Sequence, residues 1–320
     1  MNAKVSVIVP IYKTEKYIER CVRSLFEQTL EDMEYIFVND CTPDSAMQIL
    51  SSVLDNYPKR KGQVVVINQP HNMGAAKARE VGIKAATGQY IIHCDSDDWV
   101  DVDMYRAMYE KAKDDNLDIL ICDWYETDGR HHERITQNIN SRCDLLSGLI
   151  NRSISGSLCN KLVACYIYSG IKHYPTEHMM EDVAYSIQLV KASGNRIGYI
   201  PKPLYYYYNN ENSVCHQSDE ASCKSRCRQA CVNIDTIIAY LNEESLENKY
   251  SKELVVLKNS ARVFLWPLLM SNPHKYISLW RSIYPEINIR YPFTKGIDVR
   301  LRGIFFLTWL GIYPYMHKLI

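Results

Sequence analysis

Apolar runs alternate with stretches of helical periodicity over the first 122 residues of the chain. Short apolar runs, of the length expected for strands, lie at residues 5–9, 34–38, 64–67, 90–93 and 118–122. Between them, apolar residues recur with the period of amphipathic helices at residues 16–29, 45–57, 74–87 and 102–116. Strands that alternate with helices form βαβ units with right-handed crossovers. The pattern predicts an α/β fold with an open, doubly wound, mostly parallel sheet.

Beyond residue 122 this alternation stops. Residues 130–142 are polar, residues 153–194 mix loop and helical patterns, and residues 195–208 predict one or two further short strands. From residue 219 onward the pattern is helical and amphipathic. We therefore expect an α/β domain over residues 1–215, with halves at 1–122 and 123–215, followed by a helical C-terminal region at 216–320.

Residues 300–320 combine aromatic side chains with flanking basic ones. The aromatic residues are Phe305, Phe306, Trp309, Tyr313 and Tyr315, Pro314 interrupts the run, and the basic residues are Arg300, Arg302, His317 and Lys318. The run is shorter than the roughly 20 apolar residues that a membrane-spanning helix needs. Such a composition suits an amphipathic helix in the membrane interface, and it equally suits a helix packed on the protein's own core. The sequence leaves both interpretations open.

The charge balance of the chain argues against a nucleic-acid partner. Lys+Arg and Asp+Glu both number 37 in 320 residues, so the formal net charge is zero. The first apolar run, at residues 5–10, is too short for the core of a signal peptide. Eleven cysteines are scattered along the chain rather than arranged as a disulfide framework. These features predict a cytoplasmic protein, with residues 300–320 as a candidate contact to the inner face of the plasma membrane.

Cys223, Cys227 and Cys231 recur at a constant spacing of four residues. This spacing fits one face of a helix on which cysteine serves as a small core residue. The alternative is a soft-metal cluster, although structural zinc sites usually contain closely spaced pairs of cysteines. The spacing favours the helix face.

Polar and acidic residues follow three of the predicted strands. Pro10 and Tyr12 follow the first strand, Asp40 the second, and Asp95, Ser96, Asp97 and Asp98 the fourth. In an open parallel sheet these strand ends meet at one edge, where ligands bind. The glycine-rich phosphate motifs of dinucleotide sites and P-loops are missing from the sequence. Three carboxylates within four residues instead predict a site for Mg²⁺ or Mn²⁺ that binds a diphosphate, with a solvated acidic turn as the alternative.

Several segments, taken together and in order, resemble family 2 glycosyltransferases. In the first half of the chain these are VSVIVPIYKTEKYIERCVRSLFEQTL, YIFVNDCTPD and NMGAAKAREVGIKAATGQYIIHCDSDDWV. In the second half, the order and spacing of that family's acceptor half are matched by SLCNKLVACYIYSGIKHYP, MMEDVAY and KPLYYYYNNENSV. The resemblance covers residues 3–215. It implies the nucleotide-diphospho-sugar transferase (GT-A) fold and an enzyme of the bacterial surface-polysaccharide type.

The resemblance assigns residues of this chain to three tasks. It implies donor binding by Pro10, Tyr12, Asp40, Arg79, Asp95 and Ser96, metal binding by Asp97 with support from Asp98, and general base catalysis by Asp182. Tyr12 would stack on the base of the nucleotide. Asp40 would accept a hydrogen bond from that base, for which uracil is expected.

The second motif departs from the family pattern at three positions. Asn39 replaces the first acidic residue, and Cys41 and Thr42 stand where Gly and Ser are usual. Because Asp40 is retained, the resemblance still implies nucleotide binding, while the identity of the base stays open.

The expected activity is that of a metal-dependent, inverting hexosyltransferase. It would move a sugar from a UDP-sugar to a hydroxyl group of a glycan or a lipid-linked glycan, in polysaccharide or glycolipid biosynthesis. One alternative is a sugar-nucleotidyltransferase, which would need a Gly-rich basic loop where this chain has VPIYKTEKY. The other is a non-catalytic nucleotide- or carbohydrate-binding module, which would have no use for Asp182.

Overall fold

The computed structural model describes residues 3–137, 139, 144–194, 196–210, 217–294 and 299–316. Within these residues the strands are β1 (Val5–Ile11), β2 (Met33–Asn39), β3 (Val64–Asn68), β4 (Tyr90–His93), β5 (Trp99–Val100), β6 (Ile119–Thr127), β7 (His132–Ile135), β8 (Lys161–Ala164) and β9 (Ile197–Tyr208). The helices among and between the strands are α1 (Ile18–Phe26), α2 (Ala46–Leu54), α3 (Ala75–Ala85), α4 (Met104–Asp114), α5 (Leu145–Ile150) and α6 (Glu181–Ser193). The C-terminal helices are α7 (Glu220–Glu243), α8 (Ser251–Val263), α9 (Trp266–Ser271), α10 (Pro273–Ser282), α11 (Ile287–Arg290), α12 (Val299–Leu310) and α13 (Tyr313–Met316).

The strands of the described residues form one sheet in the order β3-β2-β1-β4-β8-β6-β9-β5, with β7 paired to β6 outside this path. β3, β2, β1 and β4 run parallel to one another. β8 lies antiparallel to both β4 and β6, while β9 runs parallel to β6 and antiparallel to β5. The predicted α/β fold with a helical C-terminal region is confirmed. Its parallel part is the first four strands, and antiparallel pairs enter at β8.

Helices cover the part of the sheet formed by β1, β2 and β4, which are almost entirely buried, whereas the edge strand β3 is partly exposed. Six of the seven residues of β1 are buried, as expected for a parallel strand with both faces covered. α3 approaches β1 so closely that a Cβ atom at Gly82 would collide with the side chain of Ile8. This close approach brings Arg79, one turn earlier in α3, within reach of the loop that follows β4.

The second half of the sheet differs from the sequence-based expectation in detail. Residues 197–208 form the single long strand β9, where one or two short strands were expected, and the register with β6 shifts on either side of Asp123. Pro201 and Pro203 lie at this irregularity, which accommodates residues that cannot donate a ladder hydrogen bond. The polar segment 130–142 contains β7, and residues 138 and 140–143 lie outside the described residues.

The C-terminal helices dock on the segment that leads into α6. Lys172 Nζ lies 2.8 Å from Glu243 Oε1 and 2.7 Å from Glu244 Oε1 at the end of α7. The side chain of Asn233 in α7 donates to the backbone carbonyls of Glu177 and Met179, at 2.6 and 2.8 Å. Because Glu177 and Met179 directly precede α6, α7 supports the start of that helix.

The three evenly spaced cysteines lie on one side of α7. Cys223 and Cys227 are buried and Cys231 is half-buried. No three His, Cys, Asp or Glu side chains are grouped as metal ligands in the described parts of the chain. The trio contributes to the core of the C-terminal region, as the helix-face interpretation expects.

The aromatic segment at the C-terminus packs on the protein through one side. The Phe305 ring in α12 lies 4.8 Å from the Trp280 ring and 4.3 Å from the Tyr291 ring, between centroids. Phe306 and Leu310 of the same helix are exposed. Across the residues described, none of the helices has the length and hydropathy to span a bilayer. His317 and Lys318 of this segment lie outside the described residues.

Candidate active site

The ends of β1, β2 and β4 lie side by side at one edge of the sheet. Ile11 at the end of β1 pairs with Asn39 at the end of β2, and Ile8 pairs with His93 at the end of β4. Tyr12, which follows β1, is 38% exposed, and Lys13 Nζ lies 5.1 Å from the centroid of its ring. The exposed ring at this edge is available to a planar ligand.

Asp40 is buried directly beyond β2 and is held by the protein itself. Its Oδ1 accepts hydrogen bonds from Gln69 Nε2 and from the backbone N–H of Met73, each at 2.7 Å. Its Oδ2 accepts from the backbone N–H of Gly74 at 2.8 Å. Asp40 therefore fixes the loop that enters α3, and contact with a base would have to use the remaining acceptor capacity of the carboxylate. The predicted contact with the base stays a prediction.

The residues that depart from the family pattern shape the loop between β2 and α2. Asn39 Nδ2 donates to Asn68 Oδ1 at 2.8 Å, and Asn39 Oδ1 accepts from the backbone N–H of Thr42 at 2.9 Å. Thr42 Oγ1 accepts from the backbone N–H of Lys13 at 2.7 Å and so ties this loop to the end of β1. Cys41 has φ 55°, in the left-handed region that favours glycine. The strain at Cys41 explains why glycine is usual at this position in the family pattern.

Asp95 lies directly after β4 and faces Arg79. Asp95 Oδ1 accepts a hydrogen bond from Arg79 Nη2 at 2.5 Å, and the Asp95 side chain is 37% exposed. The backbone N–H of Asp95 donates to the hydroxyl of Tyr205 at 3.1 Å. The adjacent Ser96 is buried. Asp95 thus binds the buried Arg79 while part of its own side chain stays exposed at the edge of the sheet.

Asp97 and Asp98 are adjacent in the sequence but differ in their burial and in their hydrogen-bond partners. Asp98 is buried, and its carboxylate accepts from the Tyr205 hydroxyl at 2.5 Å and from the backbone N–H of Tyr208 at 2.7 Å. Asp97 is half-buried, and Asn210 Nδ2 lies 3.5 Å from its Oδ2. Asp98 therefore holds β9 in place, while Asp97 has acceptor capacity left for a ligand.

Asp95 and Asp97 suit a divalent cation. Burial, followed by the negative charge of Asp95, raises the pKa of Asp97 to about 6. A cation would relieve this repulsion. Magnesium usually takes one or two carboxylates from a protein and completes its coordination with phosphates. No cluster of three or more such ligands is present among the described residues, so phosphates and water would supply the remaining ligands of a cation bound here.

Arg79 connects the loop after β4 with the start of α6. Its Nη2 binds Asp95, and its Nη1 lies 3.1 Å from Glu181 Oε1. Burial lowers the pKa of this guanidinium, but the charges of Asp95, Glu181 and Asp182 outweigh burial and raise it. Three carboxylates from two distant parts of the sequence therefore surround one buried cation.

The first turn of α6 contains a buried acid and a half-buried one. Met180 precedes this turn in the left-handed region with φ 66°, after which Glu181 is buried and Asp182 half-buried. Burial raises the pKa of Glu181 to about 8, although the charge of Arg79 lowers it. Asp182 Oδ1 accepts from the backbone N–H of Val183 at 2.8 Å. Of the two adjacent acids, Asp182 is the more accessible to a substrate.

Lys161 is a buried cation and not a surface one. Its Nζ donates to the backbone carbonyls of Ser155 and Ser157, at 2.8 and 2.6 Å, and to Asn160 Oδ1 at 3.1 Å. Burial lowers the pKa of Lys161 to about 8. Lys161 thereby fixes the loop before β8, and in that loop the backbone carbonyl of Gly156 accepts from Ser186 Oγ of α6 at 2.6 Å.

Sequence reasoning missed Arg20 and Glu181 as residues of this site. Arg20 in α1 donates from Nη2 to the backbone carbonyl of Asp97 at 2.9 Å, and its Cζ lies 3.7 Å from the centroid of the Trp99 ring. An arginine in an amphipathic helix gives no sign of such a contact. The local pattern gives no sign of the role of Glu181 either, because its partner Arg79 lies about a hundred residues earlier in the chain.

Comparisons with known proteins identify relatives of the chain by sequence and by fold. Residues 6–165, half of the chain, match the family model described as Glycosyl transferase family 2. The putative glycosyltransferase EpsH of Bacillus subtilis is 29% identical over 268 residues, covering 80% of this chain and 75% of EpsH. The uncharacterized glycosyltransferase EpsJ of Bacillus subtilis is 45% identical over 122 residues, covering 38% of this chain and 34% of EpsJ. The match therefore spans about a third of the length of EpsJ.

Among solved structures, S. aureus TarS residues 1–349 in complex with UDP-GlcNAc has a similar fold. Its TM-score with this chain is 0.71 at 19% sequence identity, and the alignment covers 98% of this chain and 90% of that one. A likeness at this level of identity shows a shared architecture.

Proposed function

The chain belongs to glycosyl transferase family 2 and has a GT-A-like fold, and we propose that it transfers a sugar from a UDP-sugar to an acceptor hydroxyl with inversion at the anomeric carbon. Sugar transfer follows from the family. The donor base, the stereochemistry and the dependence on a divalent metal are parts of the proposal.

The observation that carries the proposal is the bridge formed by Arg79. One guanidinium contacts Asp95 in the acidic loop after β4 and Glu181 at the start of α6, next to Asp182. An inverting transferase needs a site for the leaving diphosphate beside a base for the acceptor, and Arg79 keeps the two groups of carboxylates together. We propose that Arg79 positions these groups.

On the donor side, Tyr12 would stack on the base, while Pro10 and Ser96 would line the pocket. Asp40 would contribute by fixing the loop before α3 and by accepting from the base. When bound by Asp97 with Asp95 beside it, Mn²⁺ or Mg²⁺ would supply Lewis-acid stabilisation of the leaving diphosphate. Asp98 would support Asp97 by anchoring β9 through Tyr205 and Tyr208.

On the acceptor side, Asp182 would act as the general base. Its carboxylate takes the proton of the acceptor hydroxyl while that oxygen forms a bond to the anomeric carbon. The bond from the anomeric carbon to the diphosphate oxygen breaks in the same displacement, and its electron pair leaves with UDP. A single displacement inverts the anomeric configuration and requires no covalent nucleophile.

The proposal extends to the substrates and to the parts of the chain. TarS, which shares the fold, binds UDP-GlcNAc, and this supports UDP as the nucleotide. We propose a glycan or lipid-linked glycan acceptor in polysaccharide or glycolipid assembly, and no nucleic acid. Residues 1–122 would bind the donor, residues 123–215 the acceptor, and residues 216–320 would support α6 and carry the aromatic tail.

Calorimetric titration of the full chain with UDP, GDP and dTDP, each with and without Mn²⁺, tests the donor site. We expect the tightest binding for UDP with Mn²⁺, and loss of the Mn²⁺ effect in Asp97→Ala. Asp55→Ala, which removes a carboxylate that pairs with Lys61 on the surface, is the matched control and should bind as the wild type does. Tighter binding of GDP or dTDP would correct the base, and no binding of any nucleotide by a folded sample would favour a non-catalytic module.

A further inference from the structure

A group of exposed apolar side chains lies at the C-terminal end of the described chain. Phe306 and Leu310 are one turn apart in α12, and the Phe293 ring packs edge-on against the Phe306 ring with centroids 6.2 Å apart. Ile312 and Tyr315 follow in and next to α13. Phe293 is 62% exposed and Tyr315 is 75% exposed. We call these five residues the C-terminal apolar surface.

α12 is apolar on its outer side as well as on its inner side. On the inner side Phe305 and Thr308 are buried, and Phe305 contacts Trp280 and Tyr291. On the outer side Phe306 and Leu310 are exposed. A helix at the surface of a globular domain normally presents polar residues outward. The composition of α12 therefore indicates that something apolar covers its outer side.

Charge is distributed unevenly between the C-terminal region and the rest of the chain. Residues 251–320 contain 10 Lys+Arg and 3 Asp+Glu, and residues 1–250 contain 27 and 34, so net charges of +7 and −7 cancel in the whole chain. One of the basic residues, Arg302, donates from Nε to the backbone carbonyl of Pro292 at 2.8 Å, next to Phe293. The apolar surface therefore belongs to the basic part of the molecule.

The net positive charge of residues 251–320 favours an anionic bilayer over a second copy of the chain as the partner of the C-terminal apolar surface. Two copies of the chain that met through the C-terminal apolar surface would bring like charges together, which opposes association. A bilayer with anionic headgroups has the opposite charge, and aromatic side chains are favoured at its boundary with the acyl chains. An apolar surface with Arg290 and Arg302 close to it matches an anionic bilayer on both counts.

We propose that the C-terminal apolar surface docks on an anionic phospholipid bilayer. Phe293, Phe306, Leu310, Ile312 and Tyr315 insert at the boundary between headgroups and acyl chains, and Arg290 and Arg302 face the anionic headgroups. The proposal depends on no residue of the catalytic mechanism, so its failure would leave the proposed transfer reaction untouched.

Co-sedimentation of the full chain with vesicles tests this proposal. We expect binding to vesicles of phosphatidylglycerol mixed with phosphatidylcholine, weaker binding at high salt, and little binding to phosphatidylcholine alone. The double variant Phe293→Ser/Phe306→Ser should lower the partition coefficient at least about tenfold, because two aromatic anchors are lost. Arg290→Glu, which reverses an exposed charge beside α12, should also weaken binding.

Matched controls separate the surface from general effects. Val65→Ser/Val66→Ser changes two exposed apolar residues on β3, and Arg130→Glu reverses an exposed charge in the turn after β6, so both should bind vesicles as the wild type does. Thermal melts identify any variant that has lost its fold. Equal binding by the phenylalanine variant and the wild type would overturn the proposal. So would absence of binding to anionic vesicles together with a dimer in analytical ultracentrifugation that the phenylalanine variant abolishes, since the surface would then join two copies.

Discussion

The donor side of the site, at the ends of β1, β2 and β4, is built differently from the acceptor side, at β8 and the start of α6. On the donor side, adjacent parallel strands in register bring their ends to one edge, so the order of the sequence predicts the neighbours. On the acceptor side, β8 is antiparallel to both of its neighbours, and α6 begins after a left-handed residue, Met180. The acidic side chains Asp95 and Glu181 are brought together there by the buried guanidinium of Arg79.

The donor side and the acceptor side are held in place by different kinds of interaction. The donor side is fixed largely by backbone: Asp40 and Asp98 are held by backbone N–H groups and neutral side chains. The acceptor side is fixed by two buried cations: Arg79 contacts Asp95 and Glu181 from distant parts of the chain, and Lys161 binds backbone carbonyls of the loop directly before it. Substitutions should therefore affect catalysis and stability differently on the two sides.

The largest expected effect is on the acceptor side, at the proposed base. Asp182→Asn should lower kcat by about a thousandfold, within the range for loss of a general base, because the amide cannot take the acceptor's proton. Metal-dependent UDP binding should be retained, since the substitution leaves the donor side intact. Glu19→Gln, which changes a first-turn acid of α1, is the control and should keep full activity. Normal turnover in Asp182→Asn would exclude it as the base.

The second largest effect is expected for Arg79, which bridges the donor side and the acceptor side. Arg79→Met should lower the free energy of unfolding by about 3–4 kcal/mol, the lower part of the range for a broken buried ion pair. The loss is limited because Asp95 is 37% exposed and Glu181 can take up a proton. Urea unfolding measures it, with Arg23→Met as the control, since Arg23 pairs with Glu19 at the surface and should cost less than about 1 kcal/mol. Equal losses in the two variants would mean that the bridge does not stabilise the site.

Lys161 should make the stability of the acceptor side depend on pH. Its pKa is lowered by burial to about 8 from the ordinary value of 10.5, so between these values the unfolded chain binds more protons than the folded one. Stability should therefore rise with pH across this window, by up to about 3 kcal/mol. The measurement is the difference in free energy of unfolding between wild type and Lys161→Met, which removes the contributions of other groups. A difference that stays constant from pH 8 to 10.5 would contradict the burial of this charge.

On the donor side, Tyr205 should matter through its hydroxyl group. Tyr205→Phe removes the donor to the buried Asp98 side chain and should cost about 2 kcal/mol, as expected when a buried polar group loses its partner. The affinity for UDP with Mn²⁺ should fall as well, because Asp98 anchors β9 beside Asp97. Tyr206→Phe, at the next position in β9, is the matched control and should change neither quantity. Equal behaviour of the two variants would remove Tyr205 from the site.

The smallest effect is expected in the loop between β2 and α2. Cys41→Gly should raise the free energy of unfolding by about 1 kcal/mol, because glycine adopts φ 55° without the strain of a Cβ atom. Cys41→Ala keeps the Cβ atom and should leave stability unchanged. Thermal or urea unfolding distinguishes the two substitutions. A gain in both variants would trace the effect to the thiol and not to the backbone.

The strands and helices of the first half were predictable because their patterns are regular. β1 to β4 and α1 to α4 lie where the apolar runs and helical periods place them, with helix ends shifted by a few residues. The acidic loop after β4 was predictable for the same reason, since a parallel strand must end at the ligand-binding edge. Local sequence was sufficient wherever neighbours in the chain are also neighbours in the sheet.

The rest of the site depends on contacts that local patterns do not reveal. The length of β9 was not predicted, because its continuity across Pro201 and Pro203 depends on an irregularity in the pairing with β6. The burial of Lys161 depends on two backbone carbonyls in a loop, and the role of Glu181 depends on Arg79. A single sequence does not show these contacts, because Arg79 and Glu181 are about a hundred residues apart and because the contacts of Lys161 depend on the conformation of an irregular loop.

The central claim is a single displacement with Asp182 as base, and the configuration of the first sugar product tests it most directly. Proton NMR of the anomeric proton during the first turnovers, with sugar donors of the nucleotide that calorimetry selects, distinguishes inversion from retention before any free sugar released by donor hydrolysis equilibrates. The account predicts a first product with the anomeric configuration opposite to that of the donor, and no such product from Asp182→Asn. A first product that keeps the configuration of the donor would contradict the account, because it requires a second displacement and a nucleophile that this mechanism does not contain.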